Sequence, residues 1–277
     1  MDGLTFFNLT STIMAAIASY RPPHNTIAIS LATRQVSGTG PYAPKTTSSP
    51  LLPSHTIYQP SNLSGATEST PVIIWGNNAC TSTASDPYKD LNEELASWGA
   101  MVFACGPSAP VLSLLESHAS FENIDTAKLG MLGTSCESSA LYAAAENPLV
   151  LSLAVLDVKP AVSSAETRAL AANATKPVFW FSAGAAGFAP LDRNRGGARA
   201  DFDAVARGVP AWYGALPGAD GEVLDEGSAG KMGRAGRFWA QWMVEGNQTA
   251  SGFFVDAAGA ESEGWTVARK GMDVLVL

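Results

Sequence analysis

Leu129-Gly130-Met131-Leu132-Gly133-Thr134-Ser135-Cys136-Glu137-Ser138 is the stretch that decides the fold of this 277-residue chain. Leu129 to Leu132 is a short apolar run with the length of a buried strand, and Cys136 to Glu146 reads as the helix that leaves it. A serine between such a strand and helix sits on a tight turn that lifts its hydroxyl to the carboxyl end of a sheet. Where this turn is used for chemistry, the partners follow the serine in chain order, an acid and then a histidine. Here His24, His55 and His118 all precede Ser135. A serine hydroxyl is a poor nucleophile until a base takes its proton. The sequence therefore carries the turn without the downstream imidazole.

Working outward from Ser135, strands and helices alternate. Val72 to Trp75, Met101 to Cys105, Leu151 to Leu156 and Val178 to Ser182 are short apolar runs bounded by turn residues, and Ser54 to Tyr58 alternates like an edge strand. Asp90 to Trp98 places Leu91, Leu95 and Trp98 on one helical face. Val111 to His118 is a further short helix, and residues 183–210 read as a loop with a helical patch at Phe202 to Ala206. Arg234 to Glu245 is a late amphipathic helix carrying Phe238, Trp239 and Trp242. Buried strands alternating with helices predict an α/β class with a mostly parallel central sheet flanked by helices. Residues 1–53 hold a stretch rich in Pro, Ser, Thr and Gly and read as an N-terminal arm or degenerate signal-like segment. Residues 54–277 read as a single domain.

The hydrophobic share of 46% and the charged share of 15% fit a globular protein, and a net charge of −8 argues against a nucleic-acid or anionic-membrane partner, which would want a basic face. No apolar run is long enough to cross a bilayer. The N-terminal Leu4 to Ala18 is moderately apolar and ends in Ala16-Ile17-Ala18, but no Lys or Arg precedes it. An intracellular location is favoured over a secreted one, and the sequons at Asn8, Asn62, Asn173 and Asn247 decide nothing. The three cysteines fit no zinc pattern. Cys105 reads as a small buried hydrophobe in a strand. Cys80 and Cys136 each follow a strand end and are a candidate disulfide pair, with two separate thiols as the alternative. No metal cluster and no phosphate-binding glycine loop is present, so no cofactor is expected.

Pro71-Val72-Ile73-Ile74-Trp75-Gly76-Asn77-Asn78-Ala79-Cys80 resembles the oxyanion-loop region of a group of fungal α/β-hydrolases related to dienelactone-hydrolase and polyester-hydrolase-like enzymes. The resemblance continues through Leu95 to Ala100, the Ser135 turn, Lys176 to Phe181, Val209 to Trp212, Gly230 to Gly233 and Gly264 to Val267. It implies an α/β-hydrolase fold with Ser135 as nucleophile. The oxyanion hole would be built from the Cys136 amide and the loop at Asn77 and Asn78, at the amino end of a helix. The chain departs from the family's pattern at three places. Glu137 stands two residues after the serine, where a glycine is usual. The segment after Ser182, Gly184-Ala185-Ala186-Gly187-Phe188, holds no carboxylate where the family's acid belongs. Asp220, in Pro217-Gly218-Ala219-Asp220-Gly221, stands where the family's histidine would be.

Glu137 and Asp220 are candidate acid–base groups, since an apolar surrounding raises a carboxyl pKa towards neutrality. Otherwise they are solvated carboxylates, Glu137 favoured by a helix start. Asp157 closes a strand and is the candidate replacement acid. Trp75, Trp180, Phe188, Trp212 and Phe253 either line an apolar cleft or are plain core. The expectation is a scaffold that acts without an acyl-enzyme on an apolar small molecule, by isomerisation, elimination or a pericyclic cyclisation of the Diels–Alder type in natural-product biosynthesis. A confined cavity accelerates such steps by restricting conformers and polarising a carbonyl. The alternatives are an esterase with a rewired site using Ser135, and a non-catalytic binding protein.

Overall fold

The computed structural model describes residues 38–62, 70–76, 88–117, 124–135, 138–158, 163–183, 197–219, 227–256 and 258–275. Their frame is a nine-stranded sheet of β1 (Pro44–Ser49), β2 (Leu52–Pro60), β3 (Thr70–Trp75), β4 (Met101–Ala104), β5 (Ile124–Thr134), β6 (Val150–Asp157), β7 (Val178–Ala183), β8 (Ala211–Leu216) and β9 (Thr266–Lys270). The spatial order is β1-β2-β4-β3-β5-β6-β7-β8-β9. The six strands from β4 to β8 run parallel, while β1, β2 and β9 pair antiparallel at the flanks. The chain thus has an α/β architecture with a mixed, mostly parallel sheet flanked by helices. Residues 38–275 fall within one compact unit, Val36–Leu277.

Parallel strands covered on both faces read as near-continuous apolar runs, and every residue of β3, β4 and β7 is buried. Alternation sends successive side chains to opposite faces. One face holds Ile73, Leu132, Leu156, Phe181 and Trp212, covered by α1 (Lys89–Ser97), α6 (Gly230–Trp239) and α7 (Gly252–Val255). The other holds Ile74, Met131, Val155, Trp180 and Tyr213, covered by α2 (Ser108–Glu116), α3 (Ser138–Ala144), α4 (Ala165–Ala172) and α5 (Gly197–Ala204).

Local chemistry sets the element ends. The Ser164 side chain caps α4 by accepting from the Thr167 amide at 2.9 Å. Lys270 of β9 donates to the Phe202, Asp203 and Val205 carbonyls at 2.6, 3.0 and 3.0 Å, closing the carboxyl end of α5 with a cation. The α6 helix widens into a π-helical turn over Ala240–Val244. Its Trp239 indole donates to Ser152 of β6 at 3.0 Å, and Ser152 donates to the Pro177 carbonyl at 3.0 Å. Gly130 of β5 makes room for this packing, because a methyl there would lie 2.9 Å from the Trp239 ring and 2.6 Å from Val244.

Three expectations change. Ser54 to Tyr58 belongs to β2, which is not the edge strand: β1 pairs outside it, so the sheet begins within the stretch whose composition reads as an arm. Residues 197–204 form α5, longer than the helical patch the sequence suggests and starting earlier. Cys105 is exposed and lies past the end of β4, in left-handed backbone with φ 68°.

Candidate functional site

The carboxyl ends of β5 to β7 carry polar residues on a sheet face that is otherwise apolar. Ser135 follows the last residue of β5 and is half-buried. Asp157 is the last residue of β6, opposite Ser182 of β7 in the strand register. The Ser182 hydroxyl donates to Asp157 Oδ2 at 3.2 Å. Tyr213 of β8 stands opposite Trp180 in the register, two residues before the Ala215 that faces Ser182. Asp157, Ser182 and Tyr213 are each at most 7% exposed. Met131, Val155, Trp180 and Ala211 share this face. Burial pushes the Tyr213 phenol up, and the negative charge of Asp157 pushes it the same way; Arg199 opposes the rise. The Arg199 guanidinium lies 5.4 Å from the Tyr213 ring centre and pairs with Asp203 at 3.2 Å.

A second buried network lies one helical turn behind Ser135. Ser138, the first residue of α3, donates to the Ser135 carbonyl at 2.9 Å. Tyr142, one turn on, donates to Asp201 Oδ2 of α5 at 3.0 Å and accepts from the Trp180 indole at 3.1 Å. Ser163 donates to Asp201 Oδ1, and the Arg168 guanidinium donates to the Ser163 carbonyl at 2.5 Å. Burial raises the Asp201 carboxyl above its usual range, while the hydrogen bonds from Ser163 and Tyr142 hold it down. Burial, with the Asp201 charge beside it, drives the Tyr142 phenol well up. This network fixes the start of α3, and hence the Ser135 turn, against α5.

Among the sequence candidates, the structure brings Ser135 and Asp157 to neighbouring strand ends. Trp75, Trp212 and Phe253 lie in the apolar cluster on the opposite face. The Trp75 indole donates to Asn92 of α1 at 2.5 Å and packs 4.6 Å from the Tyr88 ring. Trp180 lies on the Ser135 face, as a donor to Tyr142. Asn77, Asn78, Cys80, Cys136, Glu137, Phe188 and Asp220 lie outside the described residues, as do His24, His118 and the first 37 residues.

His55 is buried in β2, with Nε2 2.9 Å from the Pro107 carbonyl oxygen and its ring packed against Gly106. Burial lowers its pKa, and the Pro107 contact opposes that. β2 stands three places from β5 in the sheet. At about 4.8 Å per strand spacing, that is roughly 14 Å, several times hydrogen-bond reach. The non-glycine residues with left-handed backbone among those described are Cys105, Ser228 and Ala229. Of these, Cys105 follows β4.

Ser182, Tyr213, Asp201, Tyr142 and Ser163 were not legible as site residues. The one signal available was position: Ser182 ends a predicted strand, as Asp157 does. No helix among the described residues is long and apolar enough to cross a membrane. No family model and no curated protein matches this chain.

Proposed function

We propose that this chain is an α/β-hydrolase-type scaffold that binds an apolar small molecule beyond the carboxyl ends of β5 to β8 and acts on it without hydrolysis, by isomerisation, elimination or cyclisation. The observation that carries this reading is the buried Ser182–Asp157 hydrogen bond at the carboxyl ends of β6 and β7, beside Ser135. Ligands of parallel sheets sit outside the carboxyl ends of the strands, and a few convergent polar groups on an apolar face are what orients an apolar ligand. The succession of β5 and α3 on either side of Ser135, at the centre of the sheet, supports the hydrolase-type scaffold. Two observations favour non-hydrolytic chemistry: every histidine precedes Ser135 in the chain, and His55 is committed to Pro107 far across the sheet.

The test is reactivity at Ser135. A fluorophosphonate is expected to leave Ser135 unlabelled, and p-nitrophenyl acetate is expected to be hydrolysed no faster by the wild type than by Ser135→Ala. Stoichiometric labelling of Ser135, abolished in Ser135→Ala, refutes the reading in favour of a rewired esterase.

A further inference from the structure

We propose that Asn173 and Asn247 are acceptor sites for N-linked glycans, and hence that this chain is a substrate of an oligosaccharyl transferase in the secretory lumen. These sites are independent of the cleft chemistry proposed above.

Each asparagine heads an Asn-X-Thr triplet, Asn173-Ala174-Thr175 and Asn247-Gln248-Thr249, with no proline between. Such triplets arise often by chance, and what the fold adds is access. Asn173 is the residue that closes α4, and Asn173 and Thr175 are both exposed. Asn247 and Thr249 are exposed in the turn that follows the π-helical stretch. The Asn247 side-chain oxygen accepts from the Thr249 amide at 3.0 Å. That bond makes an Asx turn of the triplet. It engages the oxygen and leaves out the carboxamide nitrogen, the atom that carries the sugar. The described asparagines outside such triplets are placed differently. Asn92 is buried and accepts from the Trp75 indole. Asn147 donates to Glu116 at 2.6 Å and accepts from the Leu149 amide at 2.9 Å.

Both sites lie along one margin of the sheet. β6 and β7 are parallel, so α4 returns the chain to the amino ends of the strands and leaves Asn173 just ahead of β7. Val244 packs against Gly130 of β5, which pairs with Ser152 near the start of β6. Asn247 follows, its amide donating to the Gln241 carbonyl at 2.8 Å. Asn62, exposed beyond the end of β2, is on the same side, because β2 runs antiparallel to β4; its Ser64 lies outside the described residues. A glycan is bulky and solubilising and belongs on the surface. On this margin it displaces no packing and leaves the carboxyl ends of the strands uncovered. Acceptance there sets these sites against the intracellular location that the N-terminal sequence favours.

The donor is an oligosaccharide joined through a diphosphate to a polyprenyl lipid. The asparagine carboxamide nitrogen attacks the anomeric carbon of the first sugar. A C–N bond forms as the C–O bond to the diphosphate breaks. The lipid diphosphate leaves with that electron pair, and one amide proton passes to a base of the transferase.

The test is expression of the full chain, with its own N-terminus, in yeast. Peptide-N-glycosidase F then releases the glycans and converts each occupied asparagine to aspartate. Wild type is expected to lose mass on treatment, with the conversion placed at Asn173 and Asn247 by tandem mass spectrometry. Asn173→Gln and Asn247→Gln should each lose one glycan. Thr175→Ala and Thr249→Ala should lose the same two although both asparagines remain, and Thr249→Ala keeps the backbone amide that caps Asn247. Thr249→Ser, which keeps the hydroxyl, should retain its glycan. A wild-type mass unchanged by the enzyme, or conversion confined to Asn8 or Asn62, overturns the proposal. Conversion that persists in Thr175→Ala and Thr249→Ala is spontaneous deamidation and overturns it equally. A glycan on one of the two sites alone strikes the other from the assignment.

Discussion

Replacing Tyr142 by Phe removes one oxygen and leaves the ring, so its effect is almost wholly polar. That oxygen is 3.1 Å from the Trp180 indole nitrogen and 3.0 Å from Asp201 Oδ2, and the side chain is buried. Its loss strands an indole N–H, at about 1–3 kcal/mol, and takes from a buried carboxyl a bond of about 1.5–3 kcal/mol. Because the second loss is shared with Ser163, which still donates to Asp201, a net destabilisation of about 2–4 kcal/mol is expected. With a urea dependence of about 3 kcal/mol per molar for a chain of this size, the midpoint should fall by about 1 M. Urea unfolding followed by circular dichroism measures this, and the Trp180 indole proton resonance reports the lost acceptor directly. A midpoint shift below about 0.2 M, with that resonance unmoved, would refute the claim that this hydroxyl holds α3 against α5.

Asp201→Asn tests the same network through pH. The Asp201 carboxyl is raised in the folded chain, so its contribution is fully present below the unfolded value and lost as pH rises through the folded one. The stability of Asp201→Asn relative to wild type should therefore improve as pH rises from about 4; a difference flat between acid and neutral pH contradicts the burial argument. Gly40→Ala tests the segment ahead of β1. The Gly40 amide donates to Ser97 Oγ at 2.9 Å, and a methyl at Gly40 would drive into the Ser97 carbonyl. The next anchor is buried Glu94, which accepts from the Thr39 amide at 2.7 Å and the Thr39 hydroxyl at 2.6 Å. Overpacking of this kind costs about 1–3 kcal/mol, and limited proteolysis should then cut near residue 40 in the variant before it cuts the wild type.

The alternation of strands and helices was legible because buried parallel strands leave unbroken apolar runs, as in Val72 to Trp75 and Val178 to Ser182. β1 escaped notice because Lys45-Thr46-Thr47-Ser48-Ser49 packs little: an edge strand is held by backbone pairing to Gln59, Tyr58 and Ile57, which composition does not reveal. Asp201 sits in Ala198-Arg199-Ala200-Asp201-Phe202-Asp203, which looks like a solvated helix. Its burial depends on Tyr142, 59 residues earlier in the chain. Tyr213 reads as core from its neighbours, and the register of β8 beside β7 sets it opposite Trp180. For Cys105, the apolar run Met101 to Ala104 extends naturally by one residue, while Gly106 and Pro107 force the turn to begin a residue sooner.

The two flanking strands have a bearing on how separate copies of this protein meet. β1 has a register shift between Thr47 and Ser49 and carries Lys45, and β9 carries Arg269 and Lys270. A second sheet approaching the β1 border would have to dehydrate Lys45 and match an irregular hydrogen-bond ladder, so that border resists fibril-like stacking. Excising residues 44–49 would leave β2, with its buried Ile57 and Tyr58, as the border of the sheet, turning a guarded margin into a template for aggregation.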